Sequence, residues 1–208
     1  MSNQKIIYLI RHGQTEYNRL GMIQGQGIDQ SLNETGLKQA LLFYDRYRDV
    51  PFELIFHSTL KRTGETVSNF LSKSIPHIST PDLNEISWGV YEGRIRDQEI
   101  NLKFKRLMEE WGRANYDYAW EGGESANELD HRVSRFINTL ISRPEKTILV
   151  CSHGRTMRCI LTRMTRQPLL AMEQFDHENT GLFLLKFNGG EFNLLKTNDV
   201  SHLEGVYL

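Results

Sequence analysis

The chain has 208 residues, of which 39% are hydrophobic and 25% are charged. These values match an ordinary folded domain and exclude the low-hydrophobicity composition of a disordered chain. The formal net charge is -1, which excludes an overall basic field for wrapping nucleic acid. Any site for an anion must therefore be built from locally placed arginines.

Targeting and redox features of the sequence are few. The apolar run at 6–10 is too short for the hydrophobic part of a signal peptide or for a membrane span. The two cysteines, Cys151 and Cys159, form neither a disulfide framework nor a CxxC pair, which fits a reducing compartment. We therefore expect a cytoplasmic protein that has neither a membrane nor a nucleic acid as its partner.

The first half of the chain opens on a predicted buried strand. The apolar, β-rich stretch at 5–10 forms this strand, which ends in the polar triplet Arg11-His12-Gly13. A capping segment at 33–36 precedes a predicted helix at 37–47. A second strand is predicted at 52–56, and Ser58-Thr59 is expected to cap a helix that reaches Leu71.

The second half repeats the alternation of helices and strands. An irregular, acidic stretch at 81–93 carries Glu85 and Trp88. The pattern then predicts a polar helix at 95–111, a break at Gly122-Gly123, a helix at 125–142, a strand at 147–151 that ends in Ser152-His153-Gly154, a helix to Met164, and a hairpin of strands at 182–187 and 192–196.

This order of elements predicts an α/β fold. We expect a three-layer sandwich with a mostly parallel central sheet, helices on both faces and a small helical cap insertion. The whole chain, 1–208, is expected to form one domain with the cap at about 94–123. Because ligands bind beyond the carboxyl ends of parallel strands, the two His-Gly pairs at 12–13 and 153–154 are expected at the ligand-binding edge.

The polar residues at this edge suit phosphoryl transfer. That reaction needs a nucleophile, positive groups around the phosphoryl oxygens and a proton for the leaving oxygen. The imidazole of His12 can attack phosphorus, and the guanidinium groups of Arg11 and Arg62 match phosphate geometry. Glu85 is the candidate proton donor. With these groups present, no metal is needed to supply positive charge.

At this point the sequence resembles the histidine phosphatase superfamily, also called phosphoglycerate mutase-like, and its phosphatase branch in particular. The matching blocks come in family order and span nearly the whole chain. They are YLIRHGQTEYN at 8–18, IQGQGID at 23–29, LNETGLKQA at 32–40, STLKRTGET at 58–66, LNEISWGVYEG at 83–93, GGES at 122–125, CSHG at 151–154 and NDVSHL at 198–203.

The resemblance implies a role for each matching residue. It makes His12 the phosphorylated nucleophile and Glu85 the acid and base. It implies no metal and no cofactor, and a small phosphorylated metabolite as the partner. The implied phosphate pocket consists of Arg11, Arg62 and His153, and the implied substrate-binding residues are Asn18, Gln24, Gly25 and Glu92.

Some positions depart from the family pattern. Met22 stands where the family often has an arginine, and His57 stands where a serine or threonine is common. Together with Gln26 these residues are expected near or just outside the implied pocket, so they leave the substrate preference open. His57 is more simply interpreted as a packed residue at the end of a strand.

The sequence argues against several other functions. Cys151 lacks the arginine of a Cys-x5-Arg phosphatase, the seven histidines show no zinc-ligand spacing, and no P-loop occurs. Within the family, only 28 residues separate Gly93 from Gly122, where cofactor-dependent mutases carry a long insertion. This favours a metal-independent phosphatase over a phosphoglycerate mutase-type transferase. A non-catalytic phosphate-binding regulatory module and a homodimeric assembly stay open, as does the physiological substrate.

Overall fold

The computed structural model describes residues 4–204. Its regular elements are β1 (Gln4–Arg11), α1 (Glu16–Arg19), α2 (Glu34–Tyr47), β2 (Leu54–His57), α3 (Lys61–Leu71), β3 (His77–Ser79), α4 (Gln98–Gly112), α5 (Ala126–Ser142), β4 (Thr147–Ser152), α6 (Gly154–Met164), β5 (Leu182–Asn188) and β6 (Phe192–Asp199). Short 3-10 turns lie at Pro81–Leu83, Gly89–Tyr91, Leu169–Gln174 and Ser201–Leu203.

The six strands form one sheet in the order β3-β2-β4-β1-β5-β6. The pairs β1–β4, β2–β4 and β2–β3 are parallel, whereas β5 and β6 add an antiparallel edge. The predicted α/β fold with a mostly parallel sheet is therefore confirmed. No helix within residues 4–204 is long and apolar enough to cross a membrane.

Alternation along the strands divides the core into two layers. In β1, Ile7 and Leu9 belong to the hydrophobic cluster that includes Phe136 of α5, on one face of the sheet. Ile10 belongs to the other cluster, which includes Phe43 of α2. Successive side chains of a strand point to opposite faces, so helices cover both sides of the sheet.

The register of β1 against β4 sets the position of the site. Ile10 pairs with Cys151 and Arg11 pairs with Ser152. The backbone N–H of His12 then donates to the carbonyl of Ser152 at 3.0 Å. The two His-Gly pairs therefore leave neighbouring strands side by side, at the carboxyl edge of the parallel part of the sheet.

Several predicted boundaries were wrong, and side-chain chemistry accounts for most of the errors. Asn33 accepts from Gly36 and starts α2 at Glu34, earlier than predicted. Asp97 caps α4, so that helix starts at Gln98 rather than 95. The cap predicted at Ser58-Thr59 is absent, because Leu60 is the N-cap of α3 and makes no side-chain capping bond. The short strand β3 was not predicted.

The segment predicted as a cap contains α4 and a buried aromatic group. Trp111 and Trp120 are both more than nine-tenths buried. The ring of Trp120 contacts the rings of Trp88 at 5.4 Å and Tyr91 at 4.7 Å between centroids. This packing fixes the segment against the loop that follows Glu85. Its limits at about 94–123, and the single-domain organisation, stay predictions.

The loop after His12 packs directly on the start of α2. A Cβ added at Gly36 would lie 2.1 Å from the carbonyl oxygen of Gln14, which is backbone and cannot rotate away. We predict that Gly36→Ala lowers the free energy of unfolding by about 1–3 kcal/mol, the usual range for overpacking. Gly190→Ala is the control, because no atom lies within 4 Å of its added Cβ.

Urea unfolding of both variants checks this prediction. Gly190→Ala should stay within about 0.5 kcal/mol of the wild type, as expected for an unconstrained surface position. Equal stability of Gly36→Ala and the wild type would show that the loop and α2 can separate without cost.

Candidate active site

His12 is buried at the end of β1, with 3% of its surface exposed. Its Nδ1 lies 2.7 Å from the carbonyl oxygen of Gly13. A carbonyl only accepts hydrogen bonds, so Nδ1 carries the proton and the neutral ring keeps its lone pair on Nε2. This tautomer is the one that a nucleophilic Nε2 requires.

His153 lies against His12, with 5.1 Å between the ring centroids. The Nε–H of Arg62 donates to Nδ1 of His153 at 3.1 Å, which places the proton of a neutral His153 on Nε2. Nε2 then donates to Oγ of Ser58 at 2.8 Å. Both ring nitrogens are thus occupied, and a direct contact of His153 with a phosphate requires one of these bonds to open.

Arg62 is fully buried in α3 yet keeps unused donors. Besides the bond to His153, its NH1 donates to the carbonyl of Ile28 at 2.7 Å and its NH2 to the carbonyl of Gly25 at 3.3 Å. A guanidinium has five N–H groups, so two remain for a ligand. Burial, opposed in part by Glu85, lowers the pKa of Arg62 to about 10, so the group stays positively charged at neutral pH.

Burial and two arginines keep the paired histidines neutral. Desolvation, then Arg62, then Arg11 lower the pKa of His12 well below 6.5. Desolvation and Arg62 likewise lower the pKa of His153 well below 6.5. A positive field around an unprotonated imidazole is suited to binding an anion beside a nucleophile.

Arg11 is the other predicted phosphate ligand. Its NH1 lies 3.4 Å from Nδ1 of His177, and its buried Nε has no partner among the described residues. An unpartnered buried donor costs about 1–3 kcal/mol, which a bound anion would recover. Desolvation lowers the pKa of Arg11.

The carboxylate of Glu85 contacts the first turn of α6. Its Oε2 accepts from the N–H of Arg155 at 3.2 Å, and its Oε1 accepts from the N–H of Thr156 at 3.1 Å. The N–H of Ile86 also donates to Oε1, at 3.0 Å. These backbone donors fix the orientation of the carboxyl group, which is only 8% exposed.

Asn18 and Gln24 form a polar wall near Arg11. Asn18 Oδ1 accepts from Asn179 at 3.3 Å, and Nδ2 of Asn179 also donates to the carbonyl of His12 at 2.9 Å. Gln24 Oε1 accepts from Thr15 at 2.8 Å, whereas its Nε2 is buried without a described partner. Gln24 therefore has an unpaired donor among the described residues, and its predicted role in substrate binding stays a prediction.

Gly25 and Glu92 form a tether between two loops. Glu92 accepts from the N–H of Gly27 at 2.8 Å and from the N–H of Trp88 at 2.9 Å. A Cβ on Gly25 would lie 2.0 Å from Oε1 of Glu92, so only glycine permits this contact. The assignment of both residues to substrate binding stays a prediction, because the contacts described here hold the loops together.

A cavity of about 350 Å³ opens at this edge of the sheet. Of the residues predicted for the site, Arg11, Asn18, Gln24 and Glu85 line it, while the others lie beneath or beside it. Met22 also lines the cavity, but His57 stacks on His77 instead. The remaining lining residues are Ile23, Trp88, Arg96, Phe104, Gly154, Arg155, Arg158, Glu173 and His177.

Some of these lining residues could not be identified from sequence patterns. Glu173 and His177, together with Asn179 behind the cavity, come from the irregular stretch between α6 and β5. The sequence offers one indication that Arg155 lies at the site, namely its position directly after His153-Gly154. Within residues 4–204, no group of three or more histidine, cysteine or carboxylate side chains could hold a metal ion.

Comparison with known proteins identifies the family. The model of the histidine phosphatase superfamily (branch 1) matches residues 7–200. The chain belongs to the histidine phosphatase superfamily. The resemblance stated from the sequence is thereby confirmed, and so is the enzyme class: the protein is a phosphatase of this superfamily.

Individual relatives within the superfamily differ in their named activities. The chain is 27% identical to phosphoserine phosphatase 1 of Hydrogenobacter thermophilus, covering 97% of this chain and 96% of the relative. It is 30% identical to a Proteus mirabilis protein named probable phosphoglycerate mutase GpmB, with 97% and 96% covered. The solved α-ribazole phosphatase of Shigella flexneri superposes with a TM-score of 0.82 at 26% identity, covering 94% and 96%.

The buried histidines make stability depend on pH. The pKa of His202 is lowered to about 4 and that of His177 to about 3, mainly by burial, and His12 and His153 are also lowered. The unfolded chain binds these protons near pH 6.5, but the folded chain does not. We predict that the free energy of unfolding falls steeply as pH drops below 6.5.

His202→Asn isolates one of these groups, because His202 lies away from the cavity against Phe43. Each proton taken up on unfolding contributes about 1.4 kcal/mol per pH unit, so between pH 5 and 6 the variant should show a slope shallower by about 1 kcal/mol per pH unit. Urea unfolding at several pH values measures this slope. Parallel slopes in the two proteins would contradict the neutral, buried His202.

Proposed function

We propose that the protein hydrolyses small phosphomonoesters, without a metal, through a phosphohistidine on His12. The observation that carries this proposal is the tautomer of His12. The bond from Nδ1 to Gly13 leaves a lone pair on Nε2, within a site where burial, together with Arg62 and Arg11, keeps the ring unprotonated. A nucleophile prepared in this way, beside groups that bind anions, suits attack on phosphorus.

Each step of the proposed cycle uses a described group. Nε2 of His12 attacks the phosphoryl group while Arg11 and the two free N–H groups of Arg62 bind its oxygens. Glu85 gives a proton to the leaving oxygen. Water then attacks the phosphohistidine, with the Glu85 carboxylate taking the water's proton, and inorganic phosphate leaves. The backbone donors from α6 keep Glu85 in one orientation throughout.

Phosphoryl transfer to a second metabolite is the other candidate activity. It is supported by the relative named as a phosphoglycerate mutase. Against it, α4 is the only helix of the described chain between Gly93 and Gly122. A competition assay in which an alcohol acceptor and water share the phosphoryl group distinguishes the two activities. A cytoplasmic location and a homodimer stay predictions.

The first test concerns the intermediate. We predict that mixing the enzyme with p-nitrophenyl phosphate in EDTA produces a phosphoryl adduct on His12. Because phosphohistidine hydrolyses in acid, the reaction is stopped under alkaline denaturing conditions and the adduct is located by mass spectrometry. His12→Ala should lose the adduct and at least about 10³-fold in kcat, since the nucleophile is removed.

His57→Ala is the matched control, because His57 contacts Ser58 and His77 rather than the cavity. It should keep both the adduct and most of the activity. An adduct on another residue, full activity in His12→Ala, or activity that EDTA abolishes and one divalent ion restores would each refute the proposal.

The second test concerns the proton donor. An alkoxide is a poor leaving group and needs a proton, whereas p-nitrophenolate needs far less help. We predict that Glu85→Gln slows the hydrolysis of 3-hydroxypropyl phosphate by about 10²–10⁴-fold, the usual range for general acid catalysis. The same variant should lose much less activity on p-nitrophenyl phosphate.

The ratio of the two losses decides the role of Glu85. A purely structural role, in which Glu85 only anchors its loop to α6, predicts equal losses on both substrates and a lower melting temperature. Glu92→Gln gives a comparison carboxylate from the neighbouring tether. Equal losses of activity on both substrates in a folded Glu85→Gln variant would show that another group acts as the proton donor.

A further inference from the structure

One wall of the cavity is made of arginines that the proposed chemistry does not use. The cavity is lined by four arginines, Arg11, Arg96, Arg155 and Arg158, against two carboxylates, Glu85 and Glu173. Arg11 serves the phosphoryl group in the proposed cycle. Among the residues that line the cavity, Glu173 is the one carboxylate that forms ion pairs with any of the three other arginines, so this end of the cavity carries an excess of positive charge.

Arg155 is the most buried member of this wall. Its guanidinium carbon lies 5.6–5.9 Å from the ring centroids of Trp88, Phe104 and Trp111. Only 7% of its side chain is exposed, and it forms an ion pair with Glu173. Aromatic faces on several sides hold the cation in place without neutralising its charge. Such a group is preorganised to meet an anion.

Arg158 and Arg96 extend this positive surface. Arg158 shares Glu173 with Arg155 through a contact of 2.5 Å, and its buried Nε has no partner among the described residues. Arg96 precedes α4, with its guanidinium 4.9 Å from the ring of Phe104. It forms no ion pair with any residue in 4–204. The half-exposed Glu173, together with the almost fully exposed Asp176 at 3.9 Å from Arg158, therefore faces three guanidinium groups.

Resting on the proposed function, we propose that Arg155, Arg158 and Arg96 form a subsite for a second anionic group of the substrate. The substrate class is then a small phosphomonoester that also carries a carboxylate or a second phosphate. Its phosphoryl group lies over His12, and its other anion binds the arginine wall. Glu173, whose side chain is 45% exposed, is the counter-ion that this anion replaces or joins.

The charge balance agrees with this assignment. Partial burial opposes ionisation of Glu173, but Arg155 and Arg158 lower its pKa below the usual value, so it is a carboxylate in the free enzyme. Burial lowers the pKa of Arg155, which means that this cation is poorly solvated. A poorly solvated cation whose counter-ion is half-exposed gains from a second anion bound beside it.

A matched series of three-carbon substrates tests the subsite. The series is 3-hydroxypropyl phosphate, 3-phosphooxypropanoate and propane-1,3-diyl bisphosphate, which differ only in the group at the far end. For the wild type we expect kcat/KM to be at least tenfold higher for one of the two charged members than for the neutral one. The preferred member shows whether the second anion is a carboxylate or a phosphate.

Substitutions then assign the preference to the arginine wall. Arg155→Met should reduce kcat/KM for the preferred charged substrate by about 10- to 100-fold more than kcat/KM for 3-hydroxypropyl phosphate, as expected for loss of a charge-assisted hydrogen bond to the second anion. The loss on 3-hydroxypropyl phosphate measures any effect transmitted through the turn that holds Glu85. Arg96→Met should reduce the same preference by a smaller factor. This second variant removes an exposed side chain without an ion pair, so folding is not at risk.

Arg166→Met is the control, because Arg166 pairs with Glu191 on the surface and does not line the cavity. It should leave the preference unchanged. Equal kcat/KM for all three substrates, or equal losses on charged and neutral substrates in the variants, would overturn the subsite. Failure of the proposed function is a separate outcome, in which p-nitrophenyl phosphate is not hydrolysed at all.

Discussion

The arrangement of the active site depends on the hydrogen bond from Nε of Arg62 to Nδ1 of His153. A guanidinium with no exposed surface would be costly if it were unpaired, because a buried charge loses its hydration. Here three acceptors, including two backbone carbonyls, pair with three of the N–H groups of the guanidinium. The same contact keeps Nδ1 of His153 unprotonated, and it places the guanidinium charge close to His12, whose ring centroid lies 5.1 Å from that of His153.

Parallel pairing of β1 with β4 makes this arrangement possible. The bond from His12 to Ser152 continues the ladder for one residue past Arg11, so both histidines leave the sheet at the same level. A one-residue shift in register would turn the buried side chains of β1 to the wrong face, so the packing of the core also places the two histidines side by side. Core packing and the geometry of the site are therefore specified by the same residues.

Much of the fold and part of the site could be predicted from the sequence. The buried strands and their polar ends show in local patterns, which is why His12 and His153 were assigned to one edge. Glu173 and His177 could not be found in this way, because they lie in an irregular segment whose path depends on packing against α6. The role of Ser58 was mispredicted for a similar reason. Its hydroxyl group accepts from His153, a contact 95 residues away in sequence, rather than capping α3.

Helix α6 contributes residues to both ends of the cavity, the end at Glu85 and the end at the arginine wall. Its first turn donates the N–H groups of Arg155 and Thr156 to Glu85, and the side chain of Arg155 extends from the same turn into the aromatic group around Trp88. Helix N-termini favour a carboxylate, so the position of Glu85 follows from the direction of α6. The proposed arginine wall and the N–H groups that orient Glu85 therefore both depend on the first turn of α6, which sets the distance between them.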